Sequence, residues 1–189
     1  YYNYNGFAWT EYTIPFHLDG KTNGSYTIRW CSWDNIGNNE TILTQFVRID
    51  DIDPITGISF TPAHGSNFVL ESTDFTLTPA DNSGGSGLHH TYYKWAGTGS
   101  KVWTEYTVPF HLDGMTNGSY TISWCSWDNI GNNETLLTQF VRIDLIAPTT
   151  GISFTPAYGT NFVLESTDFT LTPADNSGGS GIHHTYYNY

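Results

Sequence analysis

The chain has 189 residues and a formal net charge of −12, with only six Lys plus Arg. That balance argues against nucleic acid, which needs basic patches, and equally against an anionic lipid surface. No membrane-spanning apolar stretch is read in these residues, and no membrane insertion is expected of them.

Residues 11–93 align without a gap with residues 105–187, at an offset of 94 and with ten differences in 83 positions. A repeat period sets architecture, so the elements are read from the uninterrupted stretch 51–144. Residues 55–62 are strand-like and 67–70 continue that edge. Residues 74–81 alternate Phe75, Leu77 and Pro79 against Thr76 and Thr78. The Gly/Ser-rich loop 82–87 leads into a strand over His89–Trp95. A Gly turn follows, then a strand over Lys101–Leu112 and a turn at 113–118. Ser119–Asp128 is the strongest strand, with Tyr120, Ile122 and Trp124 on one face and Cys125 and Trp127 on the other. The loop 129–134 leads to a last strand over 135–144. Strands every eight to twelve residues, rich in Thr, Tyr, Phe, Val and Ile, predict an all-β chain of antiparallel sandwiches, about seven strands each.

Pro54 and Pro148 close the two linkers. Residues 1–50 are therefore expected to be the C-terminal half of a domain, 51–144 a complete domain, and 145–189 the N-terminal half of another, complementary to 1–50 of a neighbouring copy. YYNY occurs at both ends, so Tyr1, Tyr2, Tyr4, Tyr186, Tyr187 and Tyr189 are the candidate assembly residues. A half sandwich alone exposes its core face and unpaired edges. Cys31 and Cys125 fall at equivalent positions, one per repeat, and adjacent repeats hold such positions too far apart to bridge. A buried free thiol and an inter-chain disulfide are the two readings.

The acidic loops offer oxygen ligands of the kind Ca²⁺ prefers. Asp51 and Asp53 of the linker, Asp81, and Asp128, Asn132 and Glu134 are expected at one pole of the sandwich, and Asp175 with Asp34 would repeat that pairing. The competing reading is turn chemistry, in which Asp and Asn bond their own backbone. Asp51 becomes Leu145 and Asp53 becomes Ala147, so a linker ligand would not recur at every junction. Four N-glycosylation triplets begin at Asn23, Asn39, Asn117 and Asn133, all at expected turns. His89-His90 and His183-His184 are strand neighbours, expected to point to opposite faces and so not to chelate from one side. His17 and His111 are read as turn or edge residues. Trp30 and Trp124 are read as core, and Trp33 and Trp127 as an interface or a glycan platform. No nucleophile elbow, phosphate loop or zinc motif occurs, and no enzyme is expected. A repeated Lys–Asn isopeptide is disfavoured, since Lys21 becomes Met115 and Lys94 becomes Asn188.

The linker DxxP (Asp51–Pro54), the loop ADNSGGSGL (Ala80–Leu88), YTVPFHLDG (Tyr106–Gly114) and SYTISWCSWDNIGNNE (Ser119–Glu134) together resemble the Ig-like tandem repeats of bacterial and archaeal surface-layer, adhesin and filament proteins. The last matches that family's alternating strand followed by D-N-x-G-N, while Cys125 and Trp127 depart from the small or polar residues usual there. The resemblance implies an Ig-like fold and an extracellular structural module whose partners are copies of itself. Its alternative is an adhesin-type module that binds a glycan, with Ca²⁺ as the one cofactor to consider.

Overall fold

The computed structural model describes residues 1–97 and 101–189. Among them there is no helix and there are twelve strands: β1 Tyr2–Tyr4, β2 Gly24–Trp30, β3 Leu43–Ile49, β4 Ile55–Ser59, β5 Phe68–Val69, β6 Thr76–Ala80, β7 Leu88–Ala96, β8 Thr104–Glu105, β9 Gly118–Asp128, β10 Leu137–Ile143, β11 Thr149–Ser153 and β12 Thr170–Ala174. They form sheets of order β1-β2-β3, β5-β10-β9-β7-β8, β4-β6 and β11-β12. The protein is all-β with several sheets, consistent with a β-sandwich. Residues 98–100 of the Gly turn expected between Trp95 and Lys101 lie outside the described residues.

Two departures from the expected strands stand out, and the first has a local cause. The strand expected over 101–112 is reduced to β8 and a lone bridge between Phe75 and Phe110. Pro109 within that stretch has no N–H to give a ladder. β5 joins β10 in parallel, through Phe68 opposite Arg142 and Val69 opposite Ile143, so the pairing is not antiparallel throughout.

The chain divides into two compact units, one of residues 1–57, 78–92 and 124–136, the other of residues 58–77, 93–123 and 137–189. In the first, Tyr2 pairs with Trp30 and Tyr4 with Ile28, while Tyr26 pairs with Val47. Paired residues share a face, so this sheet carries an aromatic and aliphatic side, interrupted by Gln45 opposite Ile28. Tyr2 also stacks on Phe16 at 3.9 Å. The turn after β1 is Asn5-Gly6, with φ of 45° and 78° and a 3.0 Å bond from the Phe7 N–H to the Tyr4 carbonyl. Two successive positive φ values are what a tight hairpin turn requires and what Asn-Gly tolerates. Elsewhere in this unit Ser126 joins Thr56 and Thr91 through hydroxyl bonds of 2.5 and 2.7 Å, and the Trp124 Nε1–H donates to the Thr56 carbonyl at 3.0 Å. These buried hydroxyls are satisfied by one another, as burial demands.

The second unit holds an aromatic core. Phe110 stacks on Tyr93 at 3.9 Å and on Phe75 at 5.4 Å. Leu112, Ile122 and Val141 are fully buried beside Tyr120 and Ile143. Each such side chain contributes about 1.5–3 kcal/mol by leaving water. Lys101 Nζ lies 4.6 Å from the Trp95 ring centroid, a cation–π contact. β11 and β12 form a ladder from Thr149 opposite Ala174 to Ser153 opposite Thr170. Ile152 within that ladder and Phe169 beside it stay exposed.

Candidate functional site

The first site grows from the ends of three segments. Asp50 follows β3, Asp81 follows β6, and β9 ends at Asp128. Carboxylate oxygens of these three residues lie within 4.8 Å of one another. Asp50 and Asp128 are buried. Each carboxylate organises a loop. Asp128 Oδ1 accepts the N–H groups of Ile130, Gly131 and Asn132 at 3.1, 2.8 and 2.8 Å, and its Oδ2 accepts the Asn132 amide at 2.7 Å. Asp81 accepts from Asn82 at 2.8 Å and from Gly87 at 2.6 Å, while Asp50 accepts the Ser86 N–H at 2.6 Å. Asn132 also donates to the Asp50 carbonyl at 3.1 Å.

Burial would raise the Asp128 carboxyl, but hydrogen bonds led by those from Asn132 outweigh it and hold the group below the ordinary carboxylate range. Asp34 is lowered chiefly by the Asn38 amide. Asp144 is lowered chiefly by the Ser180 N–H. The donor set is all oxygen, so Asp50, Asp81 and Asp128 are the residues suited to hold a hard cation such as Ca²⁺.

The structure shifts the expected ligand set by one residue. Asp51 and Asp53 are exposed, and Asp50 stands in the cluster instead. The signal was in the repeat: Asp50 recurs as Asp144, while Asp51 and Asp53 do not recur. Asn132 acts as a donor to Asp128, and Glu134 turns its carboxylate to the Thr56 N–H at 2.8 Å. Parts of the arrangement recur. Asp34 accepts the N–H groups of Ile36 and Asn38 at 3.1 and 2.9 Å. Asp144 and Asp175 accept the N–H groups of Ser180 and Gly181 at 2.7 and 2.6 Å. Asp34 lies in the first unit and Asp175 in the second.

A second candidate is a groove of about 460 Å³ lined by His89, His90, Tyr92, Trp127 and the loop from Asp128 to Gly131. Tyr92 meets Trp127 edge-on at 5.7 Å. The two imidazoles lie 3.8 Å apart and both line this groove, so they do not point to opposite faces as expected. Alternation governs the Cβ direction, while the ring can lean along the strand near its first residue. His183 and His184 repeat the 3.8 Å spacing. His111 faces Asp74 and Asp113, and the hydrogen bond with Asp74 raises its pKa.

Trp124 is buried, and Trp30 is half-buried. Trp33 is half-exposed and meets Tyr1 edge-on at 4.6 Å, as Trp127 meets Tyr92. Tyr186, Tyr187 and Tyr189 are all exposed, whereas Tyr2 and Tyr4 are half-buried in β1. Cys31 and Cys125 are both free and buried. Asn39 and Asn133 are exposed, while Asn23 and Asn117 are half-buried.

No protein-family model matches the chain. No curated protein matches it either.

Proposed function

We propose that the chain is a structural module of tandem Ig-like repeats in an extracellular filament, surface layer or stalk, with each half domain completed by a neighbouring repeat or copy. The observation that carries this reading is a cavity of about 670 Å³ lined by Ile152, Phe169, Leu171, Tyr187, Asn188 and Tyr189. At the offset of 94 these positions are Ile58, Phe75, Leu77, Tyr93, Lys94 and Trp95. Phe75, Leu77, Tyr93 and Trp95 are buried, with Phe110 stacked among the aromatic rings. Phe16 is the counterpart of Phe110 in residues 1–50, and it completes the cavity from a second copy or an adjoining repeat. The resemblance to tandem repeats of surface proteins supports an extracellular place.

Sedimentation of the chain tests this reading. The expected result is concentration-dependent association that Phe169→Asp and Phe16→Asp each abolish. A monomer at all concentrations in which Phe169 is protected from solvent overturns it.

A second reading, a glycan-binding module, is favoured by the groove at Tyr92 and Trp127, since aromatic rings with polar neighbours suit a sugar. Quenching or shift of tryptophan fluorescence by oligosaccharides, lost in Trp127→Ala, is its expected mark. A rise in melting temperature with millimolar Ca²⁺, absent in Asp81→Asn, would add a cation at Asp50, Asp81 and Asp128 to either reading.

A further inference from the structure

The four N-glycosylation triplets are of two kinds, Asn-Gly-Ser at 23 and 117 and Asn-Glu-Thr at 39 and 133, and the two kinds differ in structure as well. Asn133 forms an antiparallel bridge with Trp127, and Asn39 forms the same bridge with Trp33. Around the first, the Asp128 N–H donates to the Asn132 carbonyl at 3.0 Å and the Glu134 N–H to the Ser126 carbonyl at 3.1 Å. Around the second, Asp34 donates to Asn38 at 3.0 Å and Glu40 to Ser32 at 3.1 Å. That pattern makes each Trp–Asn couple a non-hydrogen-bonded pair, the kind whose side chains stand closest on one face of a ladder. The turn between the partners is pinned by Asp128 or Asp34, through the bonds described above. Among the described residues, neither the Asn39 nor the Asn133 amide is engaged by another group of the chain, and both residues are exposed.

The other two acceptors are committed elsewhere. Asn117 is half-buried, and its Oδ1 accepts the Leu145 N–H at 3.0 Å, holding the start of the linker. Asn23 is half-buried and has a contact of its own.

We propose that Asn39 and Asn133 are N-glycosylated, that the first sugar packs on the indole of Trp33 or Trp127, and that Asn23 and Asn117 stay unmodified. The co-reactant is an oligosaccharide joined through its anomeric carbon to a lipid-linked phosphate. The amide Nδ2 attacks that carbon, the C–N bond forms as the C–O bond to phosphate breaks, the lipid phosphate leaves with the electron pair, and the Nδ2 proton passes to base. Thr41 and Thr135 supply the hydroxyl two residues on that the transferring enzyme reads. With Trp33 48% exposed, its ring has surface to offer the apolar C–H face of a sugar. The same pairing in both repeats places a glycan once per period along the array.

The inference rests on the extracellular placement proposed above. Its test is secretion of the full chain from a cell that carries oligosaccharyltransferase, with occupancy of the four sites read by glycopeptide mass spectrometry. The expected result is high occupancy at Asn39 and Asn133 and little at Asn23 and Asn117. The contrast should persist in a Ser25→Thr, Ser119→Thr variant, which gives all four triplets the same hydroxyl residue. Equal occupancy at all four sites, a preference for Asn23 or Asn117, or no glycan at all overturns it.

For the packing, protein trimmed to one sugar per site should melt several degrees above protein stripped by an amidase. That gain should shrink in Trp33→Ala, a change at a half-exposed position that leaves the fold intact. A gain unaltered in Trp33→Ala, or no gain in the parent, overturns the role of the indole. Sedimentation of the same material separates the two proposals: a glycosylated monomer removes assembly and leaves the sugar sites, and an unglycosylated polymer does the reverse.

Discussion

Residues 75–77 and residues 169–171 are the same three amino acids, Phe-Thr-Leu, and each phenylalanine keeps its equivalent neighbour, Phe60 or Phe154, yet their burial differs. Phe75 is fully buried under Phe110 and Phe60, while Phe169 is 52% exposed beside Phe154. Tyr93 is 6% exposed and Tyr187 is 76% exposed. The local sequence is constant, so the difference is one of partners. A strand of this chain carries its apolar face whether or not that face is covered, and only the facing half supplies the stabilisation. The same contrast holds at the loop carboxylates. Asp128 and Asp34 both accept the Ile and Asn N–H groups and the Asn amide of their own turns, but of the two only Asp128 stands with two further carboxylates.

The largest effect that would sharpen this comparison is at the phenylalanines. Phe75→Ala should cost about 3–5 kcal/mol in urea unfolding, as large aromatic deletions in packed cores do. Phe169→Ala should cost no more than about 0.5 kcal/mol at concentrations where the chain is monomeric. Equal losses would break the comparison. Asp128→Ala comes next, with an expected loss of about 2 kcal/mol, since it strands several N–H groups that now reach a charged acceptor. Asp34→Ala should cost clearly less, because its turn is open to water. Thermal melts of the two variants side by side check this.

Acid separates the same groups more gently. Asp128, Asp34 and Asp144 are all lowered in the folded chain. Their contribution is therefore complete above the unfolded value of about 3.9 and is lost as pH falls through the lowered folded values. Melting temperature should be flat from neutral pH down to about pH 4 and fall below it. In Asp128→Asn that fall should be shallower. The smallest effect is at His111. Its raised pKa means that its pairing with Asp74 is fully present below about 6.5 and fades as pH rises through the folded value. A titration followed by imidazole NMR should show His111 charging above the ordinary histidine value of about 6.5. Asp74→Asn should remove that rise.

Much of this architecture was legible in the residues. The alternation of Tyr120, Ile122 and Trp124 located the strongest strand, and all three are buried as that pattern requires. The D-N-x-G-N turn was visible because Asp128 and Gly131 have few other uses at that spacing. The strand over 101–112 was overread because an apolar run with one proline still looks extended. The parallel pairing of β5 with β10 had no local sign at all, since two residues cannot encode a direction. Asp50 was missed because it closes a strand and its neighbours Asp51 and Asp53 are equally acidic. Its recurrence as Asp144 was the available clue. The leaning of His89 toward His90 was beyond a rule that fixes only where each Cβ points.

The sequence by itself determined the repeat, the β class, the turns and the sharing of one hydroxyl-rich, aromatic-rich pattern between both copies. These are properties of periodicity and of short-range backbone preference, which each residue carries with it. Only the tertiary structure decided which of two identical phenylalanines is covered, which aspartates converge, and which asparagines stand free beside a tryptophan. Burial, charge proximity and cross-strand pairing all depend on chain segments distant in sequence, and identical segments meet different neighbours.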